Sequence, residues 1–320
     1  MKQSPDPRSL LPSVDKAVSA VKRLTGGEAF SHERIVDATR HVLDRIRSGI
    51  AKQSELSLDD IASEVLNVLS ERQTAGLRKV VNATGIILHT GLGRAVLPKE
   101  GIDALTQLDG CCNLQIDLDD GTRGRRDEVV EELLVELTGA EAATVVNNNA
   151  AATLLVLAAL SEGKELIVSR GQLIEIGGSF RLPDVIGQSG ARMVEVGTTN
   201  KTHLRDYENA ITEDTRVLLR VNPSNYRIIG FSQQVSTAEL SDLAHRHGLA
   251  MVDDLGCGAF VDLSQYGLPK EPTMQDSIAN GADVALASGD KLLSGPQAGL
   301  IVGKKEIGRA AGRERVCHRV

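Results

Sequence analysis

From Lys79 onward, short runs rich in Val and Ile alternate with longer segments of helical periodicity, and this alternation most narrows what the 320-residue chain can become. The runs are Thr144–Val146, Glu165–Val168, Arg192–Val196, Val217–Val221, Ala250–Val252, Val284–Ala287 and Gly299–Val302. Helical candidates lie between them at Glu128–Leu137, Ala150–Leu160, Arg205–Ile211 and Thr237–His247. Strands fed by helices at this spacing predict an α/β domain with a mostly parallel sheet covered on both faces. Ligands of such sheets sit at the carboxyl ends of the strands, so the loops after each run are where chemistry is expected.

The block before Lys79 has a different texture. Apolar Ile35, Val36, Val42, Leu43 and Ile46 recur at helical spacing through His32–Ile50. A second helix is expected over Leu58–Leu69, with Ser57 as N-cap and Ile61, Val65 and Leu69 on one face. The net charge of −7 divides into +2 through Lys79 and −9 beyond it, so any polyanion contact belongs to the N-terminal block. Aromatics make up 2% of the chain with no Trp, which removes the platforms that stacked single-stranded bases require. The longest apolar run, Ala150 to Leu160, is short of a membrane span, and the N-terminus lacks the apolar core of a signal peptide. Cys111, Cys112, Cys257 and Cys317 form no CxxC pair. The adjacent Cys111 and Cys112 are expected as buried small hydrophobes, and the chain as cytoplasmic and free of membrane.

Three loops carry candidate chemistry. Asn147, Asn148, Asn149 and Ala150 follow the first strand and open an apolar helix, where free backbone N–H groups suit a phosphate. Asp253 and Asp254 end a buried strand ahead of Leu255-Gly256-Cys257-Gly258. A carboxylate there must meet a cation or a protonated heteroatom, and no further His, Asp or Glu set converges to suggest a metal. Ser288-Gly289-Asp290-Lys291 follows the strand Val284–Ala287, and a Lys in such a turn can become a nucleophilic amine. The ordered set of Asn-rich loop, strand-end Asp and Ser-x-x-Lys offers one partner to each handle of pyridoxal 5′-phosphate: its phosphate, ring nitrogen and aldehyde. No Walker or GxGxxG loop competes with it.

At these motifs the chain resembles the bacterial L-seryl-tRNA(Sec) selenium transferase (selenocysteine synthase) family. The matching stretches are VVNATGIILHTGLGRAVLP (80–98), LTGAEAATVVNNNAAATLL (137–155), EIGGSFRLPDV (175–185), SNYRIIGF (224–231), DLGCGAFVDLSQYGLPKEPT (254–273) and SGDKLLSGPQAGLIVGKKE (288–306). The resemblance implies a fold-type-I pyridoxal-phosphate transferase large domain preceded by a small helical domain that contacts tRNA. It implies conversion of seryl-tRNA(Sec) to selenocysteinyl-tRNA(Sec) with selenophosphate, through an aminoacrylyl intermediate. By motif, Lys291 would bind the cofactor covalently, Asp254 would face the ring nitrogen, and Ser288, Asn148, Asn149 and Ala150 would hold the phosphate. Asp290 would assist at the substrate, and Arg94 of the GLGR turn would bind an anion, with a salt-bridged surface Arg as the equal alternative. A large homo-oligomer is expected of an intact member.

The chain departs from the family in two places. Asn222 stands where the family often has His. Family-like sequence is read to stop near Glu306, so residues 1–78 are expected as the helical domain, 79–305 as the cofactor domain, and 306–320 as a non-native tail replacing a small C-terminal domain. The competing expectations are a related pyridoxal-phosphate lyase acting on a small amino acid or amino sugar phosphate, and an inactive truncated tRNA-binding fragment.

Overall fold

A computed structural model describes residues 11–25, 29–49, 57–73, 77–178 and 180–306. The chain divides into two compact units between Val81 and Asn82, just past the expected boundary. The first unit consists of α1 (Val14–Thr25), α2 (His32–Gly49) and α3 (Leu58–Gln73). Their apolar stripes meet in one core, with Ala17, Val21, Ile35, Leu43, Ile61 and Leu69 buried. Ser57 caps α3 as expected: its hydroxyl accepts from the Asp60 N–H at 3.1 Å, and the Asp60 carboxylate accepts from the Ser57 N–H at 3.0 Å. Ile50, the expected end of α2, lies outside the described residues.

The second unit runs α4 (Lys99–Gln107), α5 (Glu128–Thr138), β1 (Ala142–Val146), α6 (Asn149–Ser161), β2 (Glu165–Ser169), β3 (Glu175–Ile176), β4 (Phe180–Arg181), α7 (Leu182–Gln188) and β5 (Arg192–Val196). It continues with α8 (Leu204–Glu208), β6 (Thr215–Val221), α9 (Thr237–Arg246), β7 (Ala250–Asp254), α10 (Met274–Ala279), β8 (Val284–Ser288) and β9 (Gly299–Gly303). Seven strands pair in the order β1-β9-β8-β7-β6-β2-β5, while β3 and β4 form a separate hairpin. All pairings in the large sheet are parallel except those of β9, which runs antiparallel to both β1 and β8. The exception has a local cause. A parallel return needs a crossover of roughly a dozen residues or more, usually a helix, and residues 289–298 contain none.

Alternation along the strands sorts the core into two layers. Val252, Leu219, Leu286 and Ile301 point to one face and pack with Ala152, Val156 and Leu157 of α6 and Leu182 and Ile186 of α7. On the opposite face Leu218 and Met251 pack with Leu240 and Leu243 of α9, and Ala285, Ala287 and Leu300 pack with Leu134 of α5 and Met274 of α10. One expectation is corrected here. Cys111 and Cys112 are exposed, because they follow α4 in a stretch without helix or strand, and α4 itself buries none of its residues. Among the described residues no helix is long and apolar enough to cross a membrane.

Candidate active site

The sheet brings the three candidate loops to one edge. Val146 at the end of β1 lies opposite Gly299, and Gly299 lies opposite Ser288 at the end of β8. Asp254 at the end of β7 is in register with Leu286 of β8 and with Val221 of β6. The segments Asn147–Asn149, Asn222–Tyr226, Leu255–Gly258 and Gly289–Ala298 therefore all emerge at this edge. Two glycines make the approach close enough. A Cβ at Gly299 would run into the Asn148 carbonyl oxygen, and one at Gly258 (φ 46°) would overlap the Ala287 Cβ.

The two adjacent carboxylates point to opposite faces of β7, and their environments differ accordingly. Asp253 is fully buried (0% exposed) and paired. It accepts from Arg220 Nη1 at 2.7 Å, Ser277 Oγ at 2.8 Å and Thr237 Oγ1 at 3.1 Å. Arg220 and Asp253 are cross-strand partners, so their side chains share a face. Asp254, 4% exposed, turns toward α6 and has no ion-pair partner among the described residues. Its Oδ1 accepts from Asn149 Nδ2 at 2.8 Å and from the Gly256 N–H at 3.0 Å, and its Oδ2 accepts from Thr153 Oγ1 at 2.9 Å. Burial pushes the Asp254 carboxyl above the ordinary carboxylate range, against these neutral donors.

In the Asn-rich loop, expected to cradle a phosphate, the side chains of Asn148 and Asn149 have partners within the protein. The Asn148 side chain caps α6 by accepting from the Ala151 N–H at 2.9 Å, and the Asn149 amide goes to Asp254. The α6 N-terminus still directs backbone N–H groups, that of Ala150 among them, toward this edge. The Asn149 Oδ1 is buried without a partner among the described residues. Ser288 ends β8, with its N–H donated to the Gly256 carbonyl at 3.0 Å. Lys291 sits half-buried in the turn that follows.

Arg94 and Asp290 are brought together as an ion pair, with side chains 36% and 14% exposed. Their loops also join through the Ala95 N–H, which donates to the Asp290 carbonyl at 3.3 Å. Arg94 adopts φ 65°, a left-handed conformation unusual for a side-chain-bearing residue. The pair lies in a cleft of about 490 Å³ lined also by Thr90, Leu97 and Gln297. Arg94 is thus salt-bridged, as one of the two equal readings has it, and lines a cleft. Asn222 is buried, and its N–H donates to the Asp254 carbonyl at 2.8 Å. Sequence reasoning did not single out Thr153 or Arg220. Thr153 falls one helical turn after Asn149, and Arg220 interrupts the apolar run Val217–Val221 of β6.

A carboxylate buried without a cation and an orphaned acceptor beside it both call for a donor from a ligand. A carboxylate has about four acceptor sites, and three on Asp254 are taken. The arrangement therefore fits a protonated ring nitrogen at Asp254.

Comparison with known proteins gives a consistent result. A family model described as L-seryl-tRNA selenium transferase matches residues 80–315. The chain is 50% identical over 302 residues to an L-seryl-tRNA(Sec) selenium transferase of Haemophilus influenzae, covering 92% of this chain and 66% of that protein. It is 51% identical over 301 residues to one of Moorella thermoacetica, covering 93% and 64%. The chain thus spans just under two thirds of the length of these relatives. Among solved structures, D-glucosaminate-6-phosphate ammonia-lyase is similar at a TM-score of 0.59 and 25% identity, over 75% of this chain and 62% of that one. The SepCysS–SepCysE N-terminal domain complex is similar in fold, with a TM-score of 0.52 at 13% identity over 75% and 61%. The larger unit has the expected fold-type-I architecture.

Proposed function

The chain belongs to the L-seryl-tRNA selenium transferase family, and on that premise we propose that it converts L-seryl-tRNA(Sec) to L-selenocysteinyl-tRNA(Sec) with selenophosphate, using pyridoxal 5′-phosphate. The observation that carries this reading is the strand end at which Asp253 has its cation and Asp254 has none among the described residues. When bound, pyridoxal phosphate supplies an electron sink for negative charge developing beside an amino group. Asp254 would face the ring nitrogen through the acceptor site left on its Oδ2. The α6 N-terminus at Asn149 and Ala150, with Ser288, would hold the phosphate, and Asn148 would serve by capping that helix end. Lys291 would bind the cofactor through its Nζ and, once released by the seryl amine, would take the substrate's α-proton.

Arg94 would bind the selenophosphate anion in the cleft, and Asp290 would act at the substrate beside Lys291. Their ion pair joins two of the residues that line the cleft. The N-terminal helical unit would contact the tRNA, and a homo-oligomer is the expected assembly.

The test is Lys291→Ala. It should abolish the visible absorbance of the bound cofactor and the formation of selenocysteinyl-tRNA from seryl-tRNA(Sec) and selenophosphate. A variant keeping both would overturn the assignment. The likeness to D-glucosaminate-6-phosphate ammonia-lyase favours a second reading, ammonia release from an amino sugar phosphate. Ammonia formed from D-glucosaminate 6-phosphate, with no turnover of seryl-tRNA, would select it. Cofactor absorbance with neither turnover would indicate a tRNA-binding fragment.

A further inference from the structure

Thr153 has one hydrogen and two claims on it. Its side chain is fully buried on α6, and its Oγ1 lies 2.9 Å from the carbonyl oxygen of Asn149 and 2.9 Å from Asp254 Oδ2. A hydroxyl can donate to only one of these at full strength, while its lone pairs can accept from a third group. The other two groups on Asp254, the Asn149 amide and the Gly256 N–H, both converge on Oδ1 and can only donate. Oδ2 is therefore the oxygen that can carry a proton, and Thr153 is the contact there that serves both charge states.

We propose that Thr153 is a positioning residue that turns its hydroxyl with the charge state of Asp254, so that seating a ring cation is coupled to loss of the proton from Asp254 Oδ2. With Asp254 protonated, its O–H donates to Thr153 Oγ1, and the Thr153 hydrogen goes back to the Asn149 carbonyl. With Asp254 ionised, the Thr153 hydrogen turns to Oδ2, since a bond to a charged acceptor is roughly twice as strong as a neutral one. In the exchange the O–H bond of Asp254 breaks with its electron pair left on oxygen. The proton passes to the ring nitrogen, or to solvent where that nitrogen is already protonated. Burial raises the Asp254 carboxyl and so favours its protonated form before a ring arrives.

The other titratable groups on the surrounding elements leave this role to Thr153. Asp253 lies on the opposite face of β7, paired with Arg220 of β6. Cys257 follows in the loop after β7, and Asp290 and Lys291 stand on the loop after β8, with Asp290 paired to Arg94. The neighbours contributed by α6, Asn149 and Thr153, are neutral.

This inference rests on the reading that Asp254 meets the ring nitrogen, and the experiment separates the two. The dissociation constant of pyridoxal 5′-phosphate is measured on the full chain by visible absorbance from pH 6 to 9, for wild type, Thr153→Val, Thr153→Ser and Asp254→Asn. Thr153→Val should weaken binding about tenfold near neutral pH and move the pH profile upward by about one unit, because the ionised carboxylate loses its donor. Thr153→Ser should restore wild-type behaviour. A residue that merely packs would weaken binding equally at every pH. Thr153→Val binding like wild type throughout, or Thr153→Ser failing as Val does, overturns the proposal. Should the Val variant not fold, Thr153→Ala carries the same expectation. If Asp254→Asn itself binds as wild type, the reading of Asp254 falls; if Asp254→Asn weakens binding while Thr153→Val does not, only the hydroxyl switch falls.

Discussion

Replacing each of the two strand-end carboxylates by its amide should give opposite phenotypes. Asp253→Asn leaves the Arg220 guanidinium, 13% exposed, facing a neutral amide in a buried site. Removing one partner of a buried ion pair costs about 3–5 kcal/mol, because the remaining charge stays desolvated. For a unit of this size, with a urea dependence of about 3 kcal/mol per molar, the unfolding midpoint should fall by roughly 1–2 M. Asp254→Asn removes a carboxyl group that has no counter-cation among the described residues. Its amide oxygen can keep the bonds from Asn149 and Gly256, and its NH₂ can donate to Thr153 Oγ1. The cofactor-free chain should then lose no more than about 1 kcal/mol. Cofactor affinity should run the other way: Asp254→Asn gives up a charged partner and should bind roughly 10–100-fold more weakly. Urea unfolding followed by circular dichroism measures the first quantity and visible absorbance titration the second. If Asp254→Asn were the less stable variant and Asp253→Asn the weaker cofactor binder, the division of labour drawn from their faces would be wrong.

Two further outcomes follow from the same geometry. Because burial raises the Asp254 carboxyl in the folded chain, its contribution to stability is fully present below the unfolded value of 3.8 and is lost as pH rises through the folded value. The cofactor-free wild type should therefore lose stability relative to Asp254→Asn over that window, and a thermal melting series with pH should show the difference growing and then levelling. Gly299→Ala should displace the Asn148 backbone, since the new Cβ would meet its carbonyl oxygen. It should weaken cofactor binding measurably by absorbance titration while leaving the separate N-terminal unit folded.

Much of the fold could be read from patterning, because most strands of a sheet covered on both faces are continuous apolar runs. Each of the seven expected strands of the large sheet was found, several extended by a residue or more, as with Asp253 and Asp254 joining β7. What sequence concealed depended on contacts between distant segments. The antiparallel direction of β9 reflects a return loop without a helix, and no residue within Gly299–Val302 encodes it. Cys111 and Cys112 were expected to be buried from residue type alone, but burial needs an element to pack against, and the stretch around them forms none. The helix expected at Arg205–Ile211 shortens to Leu204–Glu208, where Asn209 ends it short of Ile211.

The site shows the same limit more sharply. The Asn-rich loop is expected to cradle a phosphate, yet the side chains of Asn148 and Asn149 diverge at the start of α6. Asn148 precedes the helix and turns its side chain back onto the Ala151 N–H, so it is spent on the cap. Asn149 is the first helical residue and faces the sheet, where the residue beneath it is Asp254. One turn later the same face presents Thr153, which reaches the other oxygen of the same carboxylate. Helical periodicity thus makes Asn149 and Thr153 a single device. Strand periodicity, by sending Asp253 to the opposite layer, keeps Arg220 away from that device. A cation beside Asp254 would leave no reason to bind a protonated ring, so the alternation that gives Arg220 to Asp253 also keeps Asp254 available for one.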